Sequence, residues 1–294
     1  MTHRMKHLTL LLTSLVTMAT MHSCSFFDNA NPQPIFIEIP AVSLSTNSEQ
    51  GAPTHNITDV WVNANGQLLG VFPLPARVPV IVEEGVDSVA LTILPGIRNN
   101  GQTGTPFIYR LIAGERYVLD PVIGETVTIE PVFEYSDNAI FDVVEGFETA
   151  QVFTAPGPNN TGNGRIEPTT EEARSGARSG VMRLDEGTQL AEVLTFNSFD
   201  RANNGGGDTY VELDYKTDTP FFVGLYARQG TVFVPFYNVL ITEKEEWNKI
   251  YLDFTFDVAP ASIETYQIAV LGSIENSEQD TGTIYIDNVK LVHF

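Results

Sequence analysis

From residue 35 onward, apolar and polar positions alternate over short stretches, and turn-forming residues separate them. Residues 35–44 (IFIEIPAVSL) keep a period of two and predict a first strand. A polar loop, residues 45–53, follows. Residues 57–62 and 68–72 flank Asn65-Gly66, which predicts a hairpin. Pro73, Pro75 and Pro79 come next, at a density that excludes a central strand. Further short strands are expected at residues 78–82, 88–94, 105–111, 117–121 and 126–135. Turn signals about every 10 residues are the mark of an antiparallel sandwich. No helical period of useful length runs through this half.

Asp137-Asn138 closes that unit, and a second begins near Ile140. Its strands are expected at residues 143–149, 180–184, 191–196, 209–216, 221–228, 232–240, 248–256, 265–271 and 282–294. Two polar loops, APGPNNTGNG at 155–164 and RANNGGGD at 201–208, interrupt them. In residues 210–216, Val211, Leu213 and Tyr215 share one face, and Tyr210, Glu212, Asp214 and Lys216 share the other. The fold class expected is all-β: two antiparallel sandwiches.

The first residues have a different pattern. Arg4 and Lys6 precede an apolar run at 8–20 (LTLLLTSLVTMAT), and Ser23 precedes Cys24. That is the layout of a secretory signal, residues 1–23. A run of about 13 residues is short of the roughly 20 that span a bilayer as a helix. Cys24 is the chain's only cysteine, so no internal disulfide can form. A polar tether, residues 24–34, leads into the first sandwich.

Charge narrows the partners. The 294-residue chain carries a formal charge of −21, which repels nucleic-acid phosphates and anionic membrane surfaces. Neutral ligands such as glycans, and calcium, remain compatible. Past the leader only His55 and His293 remain, and no Ser/His/Asp, HExxH, CxxC or P-loop layout occurs. No enzyme is expected. A pair of carboxylates serving a glycosidase is the one catalytic alternative kept open.

Several resemblances follow from these residues. Met21-His22-Ser23-Cys24 resembles the lipobox of bacterial lipoproteins, which implies a lipid anchor on Cys24. Asp28 behind it is reminiscent of the acidic export signal of Bacteroidota surface lipoproteins, which implies an outer-membrane protein facing the cell surface. Residues 35–137 resemble small immunoglobulin-like sandwiches. Asp87-Ser88-Val89 fits the short O-glycosylation pattern of Bacteroidota, with Ser88 as acceptor.

The last resemblance covers residues 143–294, within a second domain of residues 138–294. Gly146-Phe147-Glu148, Ala177-Arg178-Ser179-Gly180, the stretch WNKIYLDF at 247–254 and the stretch IYIDNVKL at 284–291 recur in this order. The set resembles the jelly-roll, galactose-binding-like fold of carbohydrate-binding modules. The resemblance implies a structural calcium held by Glu148 and Asp287. It also implies a ligand face carrying aromatic and polar residues, with Tyr226, Arg228, Tyr237, Tyr251, Glu212 and Asp214 as candidates. Phe221, Phe222, Phe233 and Phe236 are expected to be core. The function expected is a non-catalytic glycan-binding surface lipoprotein. A structural or accessory subunit of an outer-membrane assembly is the alternative.

Overall fold

The computed structural model describes residues 34–294 apart from 84, 202–206 and 276. The leader, Cys24 and Asp28 lie outside the described residues. The N-terminal sandwich is built from β1 (Pro34–Ile39), β2 (Ser43–Ser45), β3 (Asp59–Ala64), β4 (Gln67–Pro73), β5 (Ala76–Ile81), β6 (Val89–Ile97), β7 (Phe107–Ile108), β8 (Glu115–Leu119), β9 (Thr126–Thr128) and β10 (Val132–Glu134). One layer has the order β5-β1-β9 with the β10-β2 pair beside it. The other runs β4-β3-β6, with β6 continuing to β7 and β8. Pairing is antiparallel except at β1–β9 and β2–β10. Ile37, Val78, Val62, Ile93 and Phe133 from these strands meet in one core.

Local chemistry explains two boundaries. Asn65 and Gly66 both hold positive φ, +49° and +80°, as a tight hairpin turn between β3 and β4 requires. β5 pairs only with β1, so Pro79 sits on an edge strand, where its missing N–H costs no ladder bond.

The C-terminal sandwich is built from β11 (Ile140–Glu145), β12 (Phe153–Pro156), β13 (Ile166–Thr169), β14 (Ser179–Leu184), β15 (Leu190–Thr195), β16 (Phe199–Asp200), β17 (Thr209–Thr217), β18 (Phe221–Gln229), β19 (Val232–Phe236), β20 (Leu240–Ile241), β21 (Lys244–Asp253), the short helix α1 (Thr255–Val258), β22 (Thr265–Ser273) and β23 (Gly282–His293). One sheet runs β13-β14-β23-β17-β21, with β11 on β23. The other runs β12-β15-β22-β18-β19, with β16 on β22 and β20 on β18. Val211 and Leu213 of the first sheet pack on Val223, Leu225, Ile268 and Val270 of the second.

The two sandwiches are joined over the outer face of β17, β21 and β23. Tyr210, Tyr251 and Val292 of that face belong to the N-terminal core cluster. The Tyr109 ring stands edge-on to Tyr210 at 5.0 Å and tilts against Tyr251 at 4.9 Å. Asn56 donates its amide N–H to the Tyr251 hydroxyl at 3.0 Å. The face that alternation leaves polar is therefore roofed by a second domain rather than by water.

Candidate functional site

The open sheet face of the C-terminal sandwich is the outer side of β15, β22, β18 and β19. Strand β18 sends Phe221, Val223, Leu225 and Ala227 into the core. Phe222, Gly224, Tyr226 and Arg228 consequently point outward. Register builds rows across the sheet. Tyr226 lies beside Gln267 and Pro235, Gly224 beside Ala269, and Phe222 beside Leu271 and Leu240. Leu194 and Glu192 of β15 continue the last two rows, opposite Ala269 and Leu271.

The aromatic rings of this face are fixed in place. Tyr226 and Phe233 stack almost parallel, at 5.4 Å and 8°. Tyr237 crosses Gly224: a Cβ built on that glycine would fall 2.4 Å from the Tyr237 ring. The Tyr237 hydroxyl donates to Glu192 Oε1 at 2.6 Å. Burial, then the Glu192 carboxylate, push the tyrosine pKa well up, so it remains a donor. Glu192 is itself fully buried and accepts the Asn159 amide N–H at 2.9 Å. Gly157 lets the 155–164 loop lie this close, since a Cβ there would meet Glu192 Cγ at 2.4 Å. Gln267 donates to the Thr195 carbonyl, and exposed Arg228 pairs with Glu264. The result is a set of immobilised rings bordered by planar polar groups. Sugars stack their C–H faces on such rings and exchange hydrogen bonds with such groups.

Three of the predicted ligand residues, Tyr226, Arg228 and Tyr237, share this face. The other three do not, which corrects the expectation of a single exposed surface. Glu212 and Asp214 are 0% exposed and Tyr251 1%, all under the N-terminal sandwich. Glu212 accepts the Tyr109 and Tyr135 hydroxyls at 2.7 and 2.8 Å and lies 3.3 Å from Lys249 Nζ. Burial pushes its pKa up, but Lys249, Lys290 and the two tyrosines outweigh this and hold it below the usual carboxylate value. Asp214 accepts the Thr54 hydroxyl at 2.6 Å and the Asn288 side-chain amide at 3.0 Å. Burial pushes the Lys290 pKa down to about 8 despite the neighbouring Glu212. Glu212 and Asp214 close an interface and are shut off from any ligand.

Among the phenylalanines, Phe221 is core as expected, but Phe222 is half-buried on the outer face and Phe233 is 49% exposed. Glu192 and Gln267 were not anticipated. The alternation of β18, with Gly224 between Phe222 and Tyr226, is the sequence signal that points to this face. Ser88 is exposed just before β6.

Over about half its length the chain is similar to carbohydrate-binding modules. The xylan-binding CBM22-1 domain of Paenibacillus barcinonensis Xyn10C is 14% identical, with TM-score 0.36, covering 53% of this chain and 96% of that one. The C-terminal family 22 module of Clostridium thermocellum Xyn10B is 15% identical at 0.35, covering 51% and 91%. The family 11 module of Clostridium thermocellum Lic26A-Cel5E is 12% identical at 0.35, covering 52% and 94%. At these values the likeness assigns no ligand to this chain. No protein-family description and no curated protein matches it.

The implied calcium pair was tested against its surroundings. Glu148 Oε1 accepts the amide N–H of Ala177 at 2.7 Å and of Arg178 at 3.0 Å. Asp287 Oδ2 accepts those of Arg174 and Ser175 at 3.0 and 3.1 Å, and its Oδ1 that of Asn288 at 2.7 Å. Both carboxylates thus tie the same segment, residues 174–178, through N–H donors. Calcium requires six to eight oxygens. Among the described residues, no three His, Cys, Asp or Glu gather in a metal-holding group. The donor set does not fit calcium: both carboxylates are engaged by backbone N–H donors, which repel a cation.

Histidine chemistry is likewise internal. Buried His293 sets Nε2 3.1 Å from Asp142. His55 has its pKa lowered by burial and by Lys249 and Arg174.

Proposed function

We propose that this protein is a non-catalytic, lipid-anchored surface protein that binds glycan on the outer face of β15, β22, β18 and β19. One observation carries the reading. Tyr226 with Phe233, and Tyr237 pinned by buried Glu192, present ordered rings on the open sheet of a sandwich whose other sheet is covered. Rings locked before binding lose little side-chain entropy when a sugar stacks on them. Glu212 and Asp214 are sealed and share one counter-charge, Lys249, so they do not form a glycosidase pair facing a cleft. The anchor is Cys24, acylated after removal of residues 1–23, with the chain facing the cell surface and Ser88 an O-glycosylation site in its first sandwich.

A second reading, an accessory subunit of an outer-membrane assembly, draws on the apolar groups of the same face. Phe233 and Leu240 are each about half exposed. Contiguous exposed apolar surface marks protein contacts as readily as ligand grooves.

A glycan array probed with the chain from Ser25 onward separates the two readings. The proposal expects a defined saccharide class on the array; a blank array, with a partner protein recovered alongside the native protein, favours the second. For the anchor, Cys24→Ala is expected to move the protein from the membrane pellet to the supernatant. Variant protein that still pellets contradicts acylation at Cys24.

A further inference from the structure

A second cavity lies where the two sandwiches meet. It encloses about 320 Å³ between the 98–103 loop of the N-terminal sandwich and strands β20 and β21 of the other. That is at the lower end of small-molecule sites, roughly 300–1,000 Å³. Its walls oppose the charge of the molecule. The chain carries −21 overall, yet among the described residues the charged ones lining this cavity are Arg98, Lys244 and Lys249, with no carboxylate.

These cations are not equally committed. Lys249 is buried against Glu212 at 3.3 Å. Arg98 Nη2 is paired with Asp59 at 2.9 Å, while its Nη1 is buried without a hydrogen-bond partner among the described residues. Lys244 is exposed and forms no ion pair among the described residues. Neutral donors complete the wall. Asn248 Nδ2 donates to the Tyr215 hydroxyl at 3.1 Å, which leaves the tyrosine proton free to donate. Asn100 Oδ1 is used by the Asp253 amide at 2.8 Å, which leaves its Nδ2 to donate. Ile250 supplies apolar floor.

We infer that this interdomain crevice binds a small carboxylate-bearing polyol, of which a hexuronic acid is the simplest example. The cationic wall takes the carboxylate, the amide and phenol donors take hydroxyls, and the apolar floor takes the ring. An aldose of the same size lacks the charge that distinguishes this wall from the rest of the molecule. The inference does not rest on the platform reading, because the charged and hydrogen-bonding residues differ and only Leu240 is common to both.

Calorimetric titration of the full chain in detergent with D-glucuronate and with D-glucose tests it. Glucuronate is expected to bind at least about tenfold more tightly than glucose, with affinity falling as salt rises. Lys244→Gln, an exposed change, is expected to weaken glucuronate about tenfold, and Arg98→Lys to weaken it while keeping the Asp59 pair. Equal binding of the two sugars, or glucuronate binding unchanged in Lys244→Gln, overturns the inference. So does glucuronate binding that survives Lys244→Gln but is lost in Tyr237→Ala, since it then belongs to the platform.

Discussion

Glu212 shows how far a residue's role depends on what covers it. Alternation in β17 puts it opposite Val211 and Leu213, and that is legible in the sequence. Nothing in β17 itself says that Tyr109 and Tyr135, about 100 and 77 positions earlier, arrive over it. Alternation alone therefore makes it a solvent-facing ligand group, whereas in the structure it is a buried counter-charge beneath the first sandwich. Removing one partner of a buried ionic group leaves the others uncompensated, at about 3–5 kcal/mol. Glu212→Gln is expected to destabilise the chain by that amount, because Lys249 and Lys290 lose their shared acceptor. Glu167→Gln, which breaks an exposed pair with Arg165, is expected to cost under about 1 kcal/mol. Chemical denaturation of both variants checks the contrast, and equal costs would contradict the interface account.

At the scale of elements, the hairpin at Asn65-Gly66 and the edge position of Pro79 were readable because each depends on local backbone chemistry. The outward row of β18 was half readable. Tyr226, Arg228 and Tyr237 were identified as candidates, but Phe222 and Phe233 read as core because apolar character alone does not tell which side of a strand is open. Glu148 and Asp287 are legible as an acidic pair, which the family resemblance assigns to an ion, whereas in the structure they hold the 174–178 segment. Backbone N–H donors have no sequence signature, so their role there could not be anticipated. That tie has a pH signature. Burial raises the Asp287 pKa to about 6, against three amide hydrogen bonds that lower it. The unfolded value is near 3.9, so between about pH 4 and 6 the folded state binds a proton that the unfolded state does not. The charged form therefore opposes folding above pH 6, and that opposition is relieved as pH falls toward 4. The stability of Asp287→Asn relative to the parent is expected to be most favourable at pH 7 and to decline by pH 4. Melting curves at the two pH values check this, and a pH-independent difference would contradict it.

Across the whole molecule, two sandwiches share one sealed boundary. Tyr210, Tyr251 and Val292 pack in the core of the domain that they do not belong to by sequence, and hydrogen bonds from Tyr109, Tyr135 and Thr54 to buried Glu212 and Asp214 cross the same surface. Groups so placed cannot be exposed one domain at a time without breaking those bonds and baring the apolar rings beside them. Calorimetry is expected to give one unfolding transition for the chain from Ser25 onward, and two well-separated transitions would contradict a coupled pair. The consequence for function is a division of faces. One sheet of the C-terminal sandwich is spent on the first domain, and the other remains open with Tyr226, Phe233 and Tyr237 in fixed positions. The measurement that tests this most directly is the affinity of an array-positive glycan for three variants. The account predicts at least about fivefold weaker binding for Tyr226→Ala and for Tyr237→Ala, since stacking on a ring contributes on the order of 1 kcal/mol, and unchanged affinity for Tyr251→Phe on the covered sheet. Loss of binding in Tyr251→Phe with the other two unaffected would place the site on the wrong sheet and contradict the account.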